Sequence, residues 1–217
     1  MHQAKGNTVS IRELDIEGAW AFTPTIHGDD RGVFLEAFRG DELASAIGHR
    51  FEVAQMNVSV SQRGVLRGVH FADVPPSQAK YVTCQRGEVL DFIVDIRVGS
   101  PTFGQWTSVL LNDTTRTGVY ISEGLGHAFL ALTDDATVAY LVSTPYAAGR
   151  EHGINPLDPA LALTIPDGVE LILSSKDQEA PSLQEALESG LLPTLTDVLA
   201  FRASRSAEAS QSAQSAE

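Results

Sequence analysis

The sequence predicts an all-β fold: an antiparallel β-sandwich or barrel with a few short peripheral helices. Many short apolar runs occur along the chain, and Gly, Pro, Asn and Asp separate them. Strands at this spacing, with no long helices between them, are typical of such folds. The chain of 217 residues can bury one good core and is too short for two ordinary domains.

The clearest strand alternates along its length. Leu90, Phe92 and Val94 share one face, and Asp91 and Asp95 share the other. This period of two is typical of a half-buried strand, so we expect the first face to be apolar and buried and the second to be polar. Similar short runs occupy residues 106–111, 118–121, 127–132 and 137–143.

Two short helices are predicted at the periphery. Asp41 can cap a helix that ends at Gly48, where glycine favours termination. Ser182 and Glu185 form a capping box that opens a second helix, which ends near Gly190.

The end of the chain differs in composition from the rest. From residue 203 it consists mainly of Ala, Ser, Gln and Glu, with almost no large apolar side chain. Such a segment cannot bury enough apolar surface to offset the entropy of ordering it. We therefore predict one domain over residues 1–202 and a disordered tail over residues 203–217.

Charge and composition restrict the possible partners. The formal net charge of −13 argues against nucleic acid, which requires a basic face. The longest apolar runs are far shorter than the roughly 20 residues that span a bilayer, and the first residues lack an export signal. A single cysteine, Cys84, excludes an internal disulfide. We expect a cytoplasmic protein that binds neither membranes nor nucleic acid.

The most informative segment brings three cationic or titratable groups close together. Arg67-Gly68-Val69-His70 is followed ten residues later by Lys80. Arg67 and His70 are three apart, so a regular strand would place them on opposite faces. Gly68 permits a bulge that turns both toward one pocket. An inward-facing Lys80 requires a negative partner, and an enolate oxygen would be one.

Three further residues complete a candidate site. His127 follows a glycine-rich turn at the mouth of a strand, and Tyr140 shares an apolar face with Val138 and Val142. Asp177 lies in a polar loop far along the chain. A carboxylate that fixes the tautomer of a histidine helps that histidine to act as a base, which suggests pairing with His70.

These residues, taken in order, belong to a larger set of spaced motifs. The chain resembles the dTDP-4-dehydro-6-deoxy-glucose 3,5-epimerases, which are jelly-roll proteins of the cupin type, over about residues 12 to 193. The motifs that carry the resemblance are Asp30-Arg31-Gly32-x-Phe34-x-Glu36, Gln55-Met56-Asn57, Arg67-Gly68-Val69-His70, Gln78-Ala79-Lys80, Gly87-Glu88-Val89 with Asp91 and Asp95, Ser100-Pro101-Thr102-Phe103-Gly104, Gly126-His127-Ala128-Phe129, Asp158-Pro159-Ala160-Leu161 and Ser174-x-Lys176-Asp177.

The resemblance implies an enzyme that inverts C3, C5 or both of a dTDP-linked 4-keto-6-deoxy sugar. It implies that His70 is the base, paired with Asp177, that Tyr140 is the acid on the opposite face of the sugar, and that Lys80 steadies the C4 enolate. It implies no metal or other cofactor. It also implies a homodimer in which the segment from Arg31 to Asn57 reaches the neighbouring site. The implied substrate-binding residues are Arg31, Phe34, Glu36, Gln55, Asn57, Arg67, His127, Glu151 and Lys176.

Some positions depart from the pattern of that family. Ser122 replaces a usual proline, Phe71-Ala72 replaces Tyr-Gln, and Gly126 replaces an alanine beside the histidine motif. We expect these residues to alter the pocket wall. An epimerase that inverts C3 alone or C5 alone, in an antibiotic deoxysugar pathway, therefore remains an alternative.

Two interpretations from other classes remain open. A metal-dependent cupin oxygenase would offer a His-x-His pair, a carboxylate and a later histidine. Here His70 is followed by Phe71 and Ala72, so the pair is missing. Only His70 and His127 could serve as histidine ligands, and two ligands hold a catalytic metal poorly. The other interpretation is a sugar-nucleotide binding module without catalysis, which would have no use for both a base and an acid.

Overall fold

The computed structural model describes the backbone of residues 9–214 and the side chains of residues 9–205. Thirteen strands and four helices lie in this part of the chain. The strands are β1 (Ser10–Glu13), β2 (Ala19–Thr23), β3 (His27–Asp29), β4 (Gly32–Phe34), β5 (Gln55–Ser61), β6 (Leu66–Ala72), β7 (Lys80–Arg86), β8 (Glu88–Asp95), β9 (Trp106–Asn112), β10 (Gly118–Ile121), β11 (Leu125–Ala131), β12 (Ala136–Val142) and β13 (Glu151–Gly153). The helices are α1 (Gly40–Ile47), α2 (Ser175–Gln178), α3 (Leu183–Glu188) and α4 (Leu195–Gln214).

Two antiparallel sheets face each other. The larger has the order β1-β2-β10-β7-β12-β5, and the smaller has the order β13-β6-β11-β8-β9. Neighbouring strands are mostly distant in the sequence, as in a jelly roll. The hairpin formed by β3 and β4 is separate from both sheets. The predicted all-β fold of the cupin type, with few helices, is confirmed.

The space between the sheets is filled by small branched side chains. Val82, Val119 and Val138 of the larger sheet pack with Val89 and Ile93 of the smaller one. Each of these is fully buried. Burial of a valine or isoleucine stabilises the fold by roughly 1.5–3 kcal/mol, so this cluster joins the two layers.

Strand β8 differs from the predicted alternation. Phe92 and Val94 do face an apolar cluster, on the outer side of the smaller sheet. Val89, Asp91 and Ile93 face inward and are also fully buried. The predicted polar face is therefore wrong. The segments that follow residue 154 cover the outer side of this sheet, so β8 is buried on both faces.

The two short helices begin and end close to the predicted positions. Helix α1 has Arg39 at its N-cap rather than Asp41, because the Asp41 carboxylate instead accepts a hydrogen bond from Arg39 Nε at 2.9 Å. Gly48 ends the helix with a φ of 82°. In α3 the capping box of Ser182 and Glu185 is present as predicted.

The C-terminal segment corrects a prediction. Helix α4 continues to Gln214, so residues 203–214 are helical rather than disordered, and residues 215–217 lie outside the described residues. Ala, Glu and Gln are good helix formers, and a helix already begun by the packed residue Val198 extends through them at little cost. Within the described residues, no helix is long and apolar enough to cross a membrane.

A β-bulge at Gly68 turns two side chains inward. Arg67 pairs with Phe129 and His70 pairs with His127, so three steps along β6 match two steps along β11. Gly68 has a φ of 116°. A Cβ atom there would lie 2.4 Å from the carbonyl oxygen of His127. The predicted bulge is confirmed, and only glycine fits this position.

We expect Gly68→Ala to lower the free energy of unfolding by about 2–5 kcal/mol, since it combines an unfavourable φ with overpacking. Gly99→Ala is the matched control, because Gly99 has a φ of 89° and a Cβ atom added to it would have no neighbour within 4 Å. Urea unfolding of both variants separates the cost of the positive φ, which both share, from the cost of overpacking, which arises only at Gly68. Equal losses would contradict the steric role of Gly68.

Candidate active site

A cavity of about 430 Å³ opens between the sheets. Its walls come from β5, β6, β7, β11, β12 and β13 together with two loop residues. The lining residues are Gln55, Asn57, Ser59, Arg67, His70, Gln78, Lys80, His127, Phe129, Tyr140, Tyr146 and Glu151. Eight of the residues predicted from the sequence are in this set: Gln55, Asn57, Arg67, His70, Lys80, His127, Tyr140 and Glu151.

His70 and Asp177 form the predicted pair. The His70 Nε2 atom lies 2.6 Å from Asp177 Oδ1. Asp177 is held at the start of α2, where its Oδ2 accepts a hydrogen bond from Ser174 Oγ at 2.9 Å. The carboxylate is buried, whereas 37% of the His70 side chain is exposed. Because Nε2 faces the carboxylate, Nδ1 is the ring nitrogen that remains available in the cavity.

Lys80 projects inward at the start of β7, on the same face as Val82 and Cys84, as predicted. Burial lowers the pKa of the Lys80 ammonium, and the negative charges of Glu151 and Asp91 oppose this effect. The cavity therefore contains a poorly hydrated cation whose stability depends on nearby negative charge. An anion that forms within reach of it would be stabilised strongly.

Tyr140 presents its hydroxyl to the same cavity from β12. The ring packs against the inner apolar cluster. Burial raises the pKa of the Tyr140 hydroxyl, the charge of Glu151 raises it further, and Arg67 opposes both. The hydroxyl thus stays protonated near neutral pH. It makes no hydrogen bond to another described residue, so it is free to donate one to a bound molecule.

A second histidine–carboxylate pair joins the lining residue His127 to a carboxylate behind it and was not predicted. His127 Nε2 is 2.7 Å from Asp91 Oδ2, and Asp91 is fully buried. The alternation of the sequence assigns Asp91 to a polar strand face instead. The available signal was its position within an otherwise apolar strand, because a buried carboxylate requires a partner.

Other lining residues were also missed. Gln78 belongs to a recognised motif but was not predicted as a site residue, and its amide donates to the Thr144 carbonyl at 2.9 Å. Tyr146 lies in the loop after β12, and its backbone N–H donates to Gln55 Oε1 at 3.2 Å. Such loop residues carry no strand periodicity, so the sequence pattern gave no reason to place them here.

Four predicted substrate-binding residues do not line the cavity. Arg31 and Phe34 belong to the β3–β4 hairpin, where the Phe34 side chain is 65% exposed. Arg31 forms an ion pair with Asp29 and is 89% exposed. Glu36 forms an ion pair with Arg39 at 3.2 Å. The fourth, Lys176, lies in α2 beside Asp177 but outside the cavity wall.

The cavity thus combines a histidine oriented by a carboxylate, a protonated tyrosine and a buried ammonium ion. A base, an acid and a cation around one space can remove a proton next to a carbonyl and return one. In the described part of the chain, no three His, Cys, Asp or Glu side chains are grouped so as to hold a metal ion.

Comparison with known proteins places this arrangement in a family. A family model described as dTDP-4-dehydrorhamnose 3,5-epimerase matches residues 13–185. The chain belongs to the dTDP-4-dehydrorhamnose 3,5-epimerase family.

Several relatives are similar over most of their length. A dTDP-4-dehydrorhamnose 3,5-epimerase of Mycolicibacterium smegmatis is 59% identical over 193 residues, which are 89% of this chain and 95% of the relative. A dTDP-4-dehydro-6-deoxyglucose 3-epimerase of Streptomyces bikiniensis is 55% identical over 85% of this chain and 94% of its own. A crystal structure of a 3'-monoepimerase from Streptomyces bikiniensis, a double mutant in complex with dTDP, has a TM-score of 0.88. It is 50% identical, and the match covers 90% of this chain and 98% of that one.

The positions that depart from the usual pattern of this epimerase family lie outside the cavity wall. Phe71 packs in the outer apolar cluster, on the opposite face of β6 from His70. The Ser122 hydroxyl accepts a hydrogen bond from Arg202 of α4. Neither of these residues, nor Ala72 or Gly126, is part of the lining. Ala72 nevertheless pairs with the lining residue Glu151 and lines an adjoining cavity with Gln78 and Glu151, so the expectation that these positions alter the pocket wall stays a prediction.

The pair of His70 and Asp177 gives this epimerase-family protein a pH-dependent stability. Burial raises the pKa of Asp177, but hydrogen bonds from His70, Ser174 and the Gly68 backbone, together with the charge of His70, bring it below the usual 3.8. A carboxyl group with a lowered pKa in the folded state stabilises that state fully above pH 3.8. The stabilisation is lost as the pH falls through the folded pKa.

We therefore expect Asp177→Asn to be less stable than the unmodified protein near pH 7, and the difference to shrink progressively below pH 3.8. Urea unfolding as a function of pH measures this difference. A gap that stays constant down to acid pH would show that the Asp177 charge does not stabilise the fold.

Proposed function

We propose that this protein inverts C3 and C5 of dTDP-4-dehydro-6-deoxy-glucose through an enolate at C4, in dTDP-deoxysugar biosynthesis. The observation that carries the proposal is the convergence of His70, Tyr140 and Lys80 on one cavity, with Asp177 bonded to His70. Membership of the family supplies the substrate class.

The chemistry of the substrate determines what the site must do. The hydrogens on C3 and C5 are both next to the C4 ketone, so removal of either leaves an enolate. His70 Nδ1 takes the proton, while Asp177 holds the Nε2 hydrogen and stabilises the imidazolium that forms. Return of a proton to the opposite face of the ring inverts the carbon. No redox step occurs, so the mechanism requires no cofactor.

Lys80 and Tyr140 complete the reaction. The Lys80 ammonium, poorly hydrated in the cavity, stabilises the negative oxygen of the enolate. Tyr140 donates a proton from the face opposite His70, and its raised pKa keeps it protonated until then. Positioned acid and base groups of this kind contribute roughly 10²–10⁴-fold each to the rate.

The remaining lining residues bind the nucleotide and the sugar. Arg67 supplies a positive charge for the diphosphate, and its Nε is fixed by a hydrogen bond to Ser61 Oγ at 3.1 Å. Gln55 and Asn57 are joined by a hydrogen bond of 2.6 Å and present their amides together. A net charge of −13 repels anions in general, so these local cations select where the substrate binds.

A single-carbon epimerase is the second candidate. It is favoured by the 55% identity to a relative that is a 3-epimerase, which is close to the 59% identity to a 3,5-epimerase. The same base, acid and cation serve either reaction. The two candidates differ in whether the ring can turn to present its second carbon to His70.

Deuterium exchange separates the two candidates. With dTDP-4-dehydro-6-deoxy-glucose in D₂O, we expect deuterium and inversion at both C3 and C5, measured by NMR and mass spectrometry. Deuterium at one carbon alone would establish the single-carbon epimerase. Absence of exchange at both carbons would contradict the epimerase proposal and favour a binding module.

Two variants test the assigned roles in the same experiment. His70→Ala removes the base, so exchange at both carbons should fall by at least about 10²-fold. Tyr140→Phe retains the ring and removes the proton donor, so it should impair inversion more than exchange. Exchange at the normal rate in His70→Ala would defeat the mechanism.

The protein is further proposed to be a homodimer. Met56, Val58 and Val60 form an apolar stripe on β5, at the edge of the larger sheet, and each is 60% exposed. Exposed stripes of this kind mark contact surfaces. A second copy on this stripe would lie beside the cavity, and it could bring Arg31 and Phe34 of its hairpin into the site.

We expect Val58→Lys to convert the dimer to monomer and to raise the KM, because it places a charge in the centre of the stripe. Leu110→Lys is the matched control. Leu110 lies on β9, the edge strand of the other sheet, and is 45% exposed. Light scattering after size-exclusion chromatography reports both states. An unmodified protein that is monomeric and fully active would contradict the dimer.

The cytoplasmic location stays a prediction.

A further inference from the structure

Asp91 is a carboxylate in apolar surroundings. Its side chain is 0% exposed and lies on the inner face of β8, between Val89 and Ile93 of the inner cluster. Burial of a carboxylate is costly unless the group is paired and hydrogen bonded. An apolar side chain would serve the packing better, so the reason for a carboxylate must lie in what Asp91 contacts.

Asp91 acts on two groups of the cavity without lining it. Its Oδ2 lies 2.7 Å from His127 Nε2. Its Oδ1 is buried and has no hydrogen-bond partner among the described residues, so that half of the charge is not neutralised locally. Burial lowers the pKa of Lys80, and Glu151 and Asp91 are the negative charges that oppose this.

We propose that Asp91 is a positioning residue for the epimerisation: it fixes the tautomer of His127 and supplies part of the counter-charge that keeps Lys80 an ammonium ion. A carboxylate can only accept, so His127 must carry a hydrogen on Nε2, and Nδ1 faces the substrate. The enolate then forms beside a cation that has remained charged. This inference rests on the proposed function.

The sign of the effect follows from the groups around Lys80. These are Arg67 and His70 from β6, His127 from β11 with Asp91 behind it, Tyr140 from β12 and Glu151 from β13. Two of them are carboxylates. Burial lowers the pKa of Lys80, and the charge of Asp91 opposes this effect. Without that charge the pKa of Lys80 falls further, so Lys80 loses its proton at a lower pH than in the unmodified protein.

The test is the dependence of kcat on pH for Asp91→Asn, which retains the shape and removes the charge. We expect the alkaline limb to move to lower pH by about one unit, which is a tenfold loss of kcat at a given pH on that limb. A loss of stability alone would lower the amount of folded enzyme without moving the limb.

Asp73→Asn is the matched control. Asp73 Oδ1 lies 2.7 Å from His152 Nε2 in a similar pair, but Asp73 is not among the charges that act on Lys80. The alkaline limb of the kcat profile should stay at the same pH in this variant. An unmoved limb in Asp91→Asn, or an equal shift in both, would overturn the inference while the activity of the unmodified enzyme still supports the proposed function. An inactive unmodified enzyme would instead overturn the function itself.

The unmodified protein decides the matter if Asp91→Asn does not fold. Nitrogen-15 NMR identifies which ring nitrogen of each histidine is protonated, and His127→Asn assigns the resonance of His127. We expect the neutral ring of His127 to carry its proton on Nε2, the nitrogen that faces Asp91. A neutral ring protonated on Nδ1 instead would contradict the role of Asp91.

Discussion

The structure depends on how charged side chains are accommodated between two sheets that are otherwise apolar. A β-sandwich of this width is most stable when branched hydrocarbon side chains fill it, and each buried charge opposes that stability unless it has a partner. Three of the buried carboxylates are paired with a histidine or an arginine. Asp177 lies behind His70, Asp91 lies behind His127, and Asp95 binds the fully buried Arg97 through two hydrogen bonds of 2.8 and 2.7 Å.

The pairs differ in how much water reaches them, and this difference separates structural from chemical roles. Arg97 and Asp95 are both fully buried, and the hydroxyls of Ser100 and Thr102 also donate to Asp95 Oδ2, the oxygen that accepts from Arg97 Nη2. His70 in contrast keeps an exposed edge and a free nitrogen. We therefore expect reactivity at His70, whose Nδ1 has no partner among the described residues on the side that faces the cavity, while its Nε2 is bonded to Asp177.

The sequence predicted much of the fold and the centre of the site because both follow from side-chain alternation and local turns. Lys80 and Tyr140 face the interior because their strands alternate, and Gly68 indicated the bulge.

Asp91 was misassigned because the sequence of one strand cannot reveal whether its second face is covered by other segments. The residues from 203 onward were misjudged because a helix rich in Ala, Glu and Gln and a disordered chain have similar compositions, and the packing of Val198 near the start of α4 decides between them. Arg31 and Phe34 stay untested because one chain cannot show what a second copy contributes.

The bulge in β6 has a consequence for the engineering of this protein. Residues before Gly68 and residues after it are out of phase by one position relative to a regular strand. Loss of the bulge without a change in length would restore the regular phase and turn the histidine toward the outer apolar cluster, leaving the enzyme without its base. Deletion of one residue between Arg67 and His70 would also remove the bulge, but it would leave the two side chains two positions apart and on the same face. The loops that connect the strands can accept length changes, whereas in this short stretch the number of residues and the presence of the bulge must match for the histidine to face the cavity.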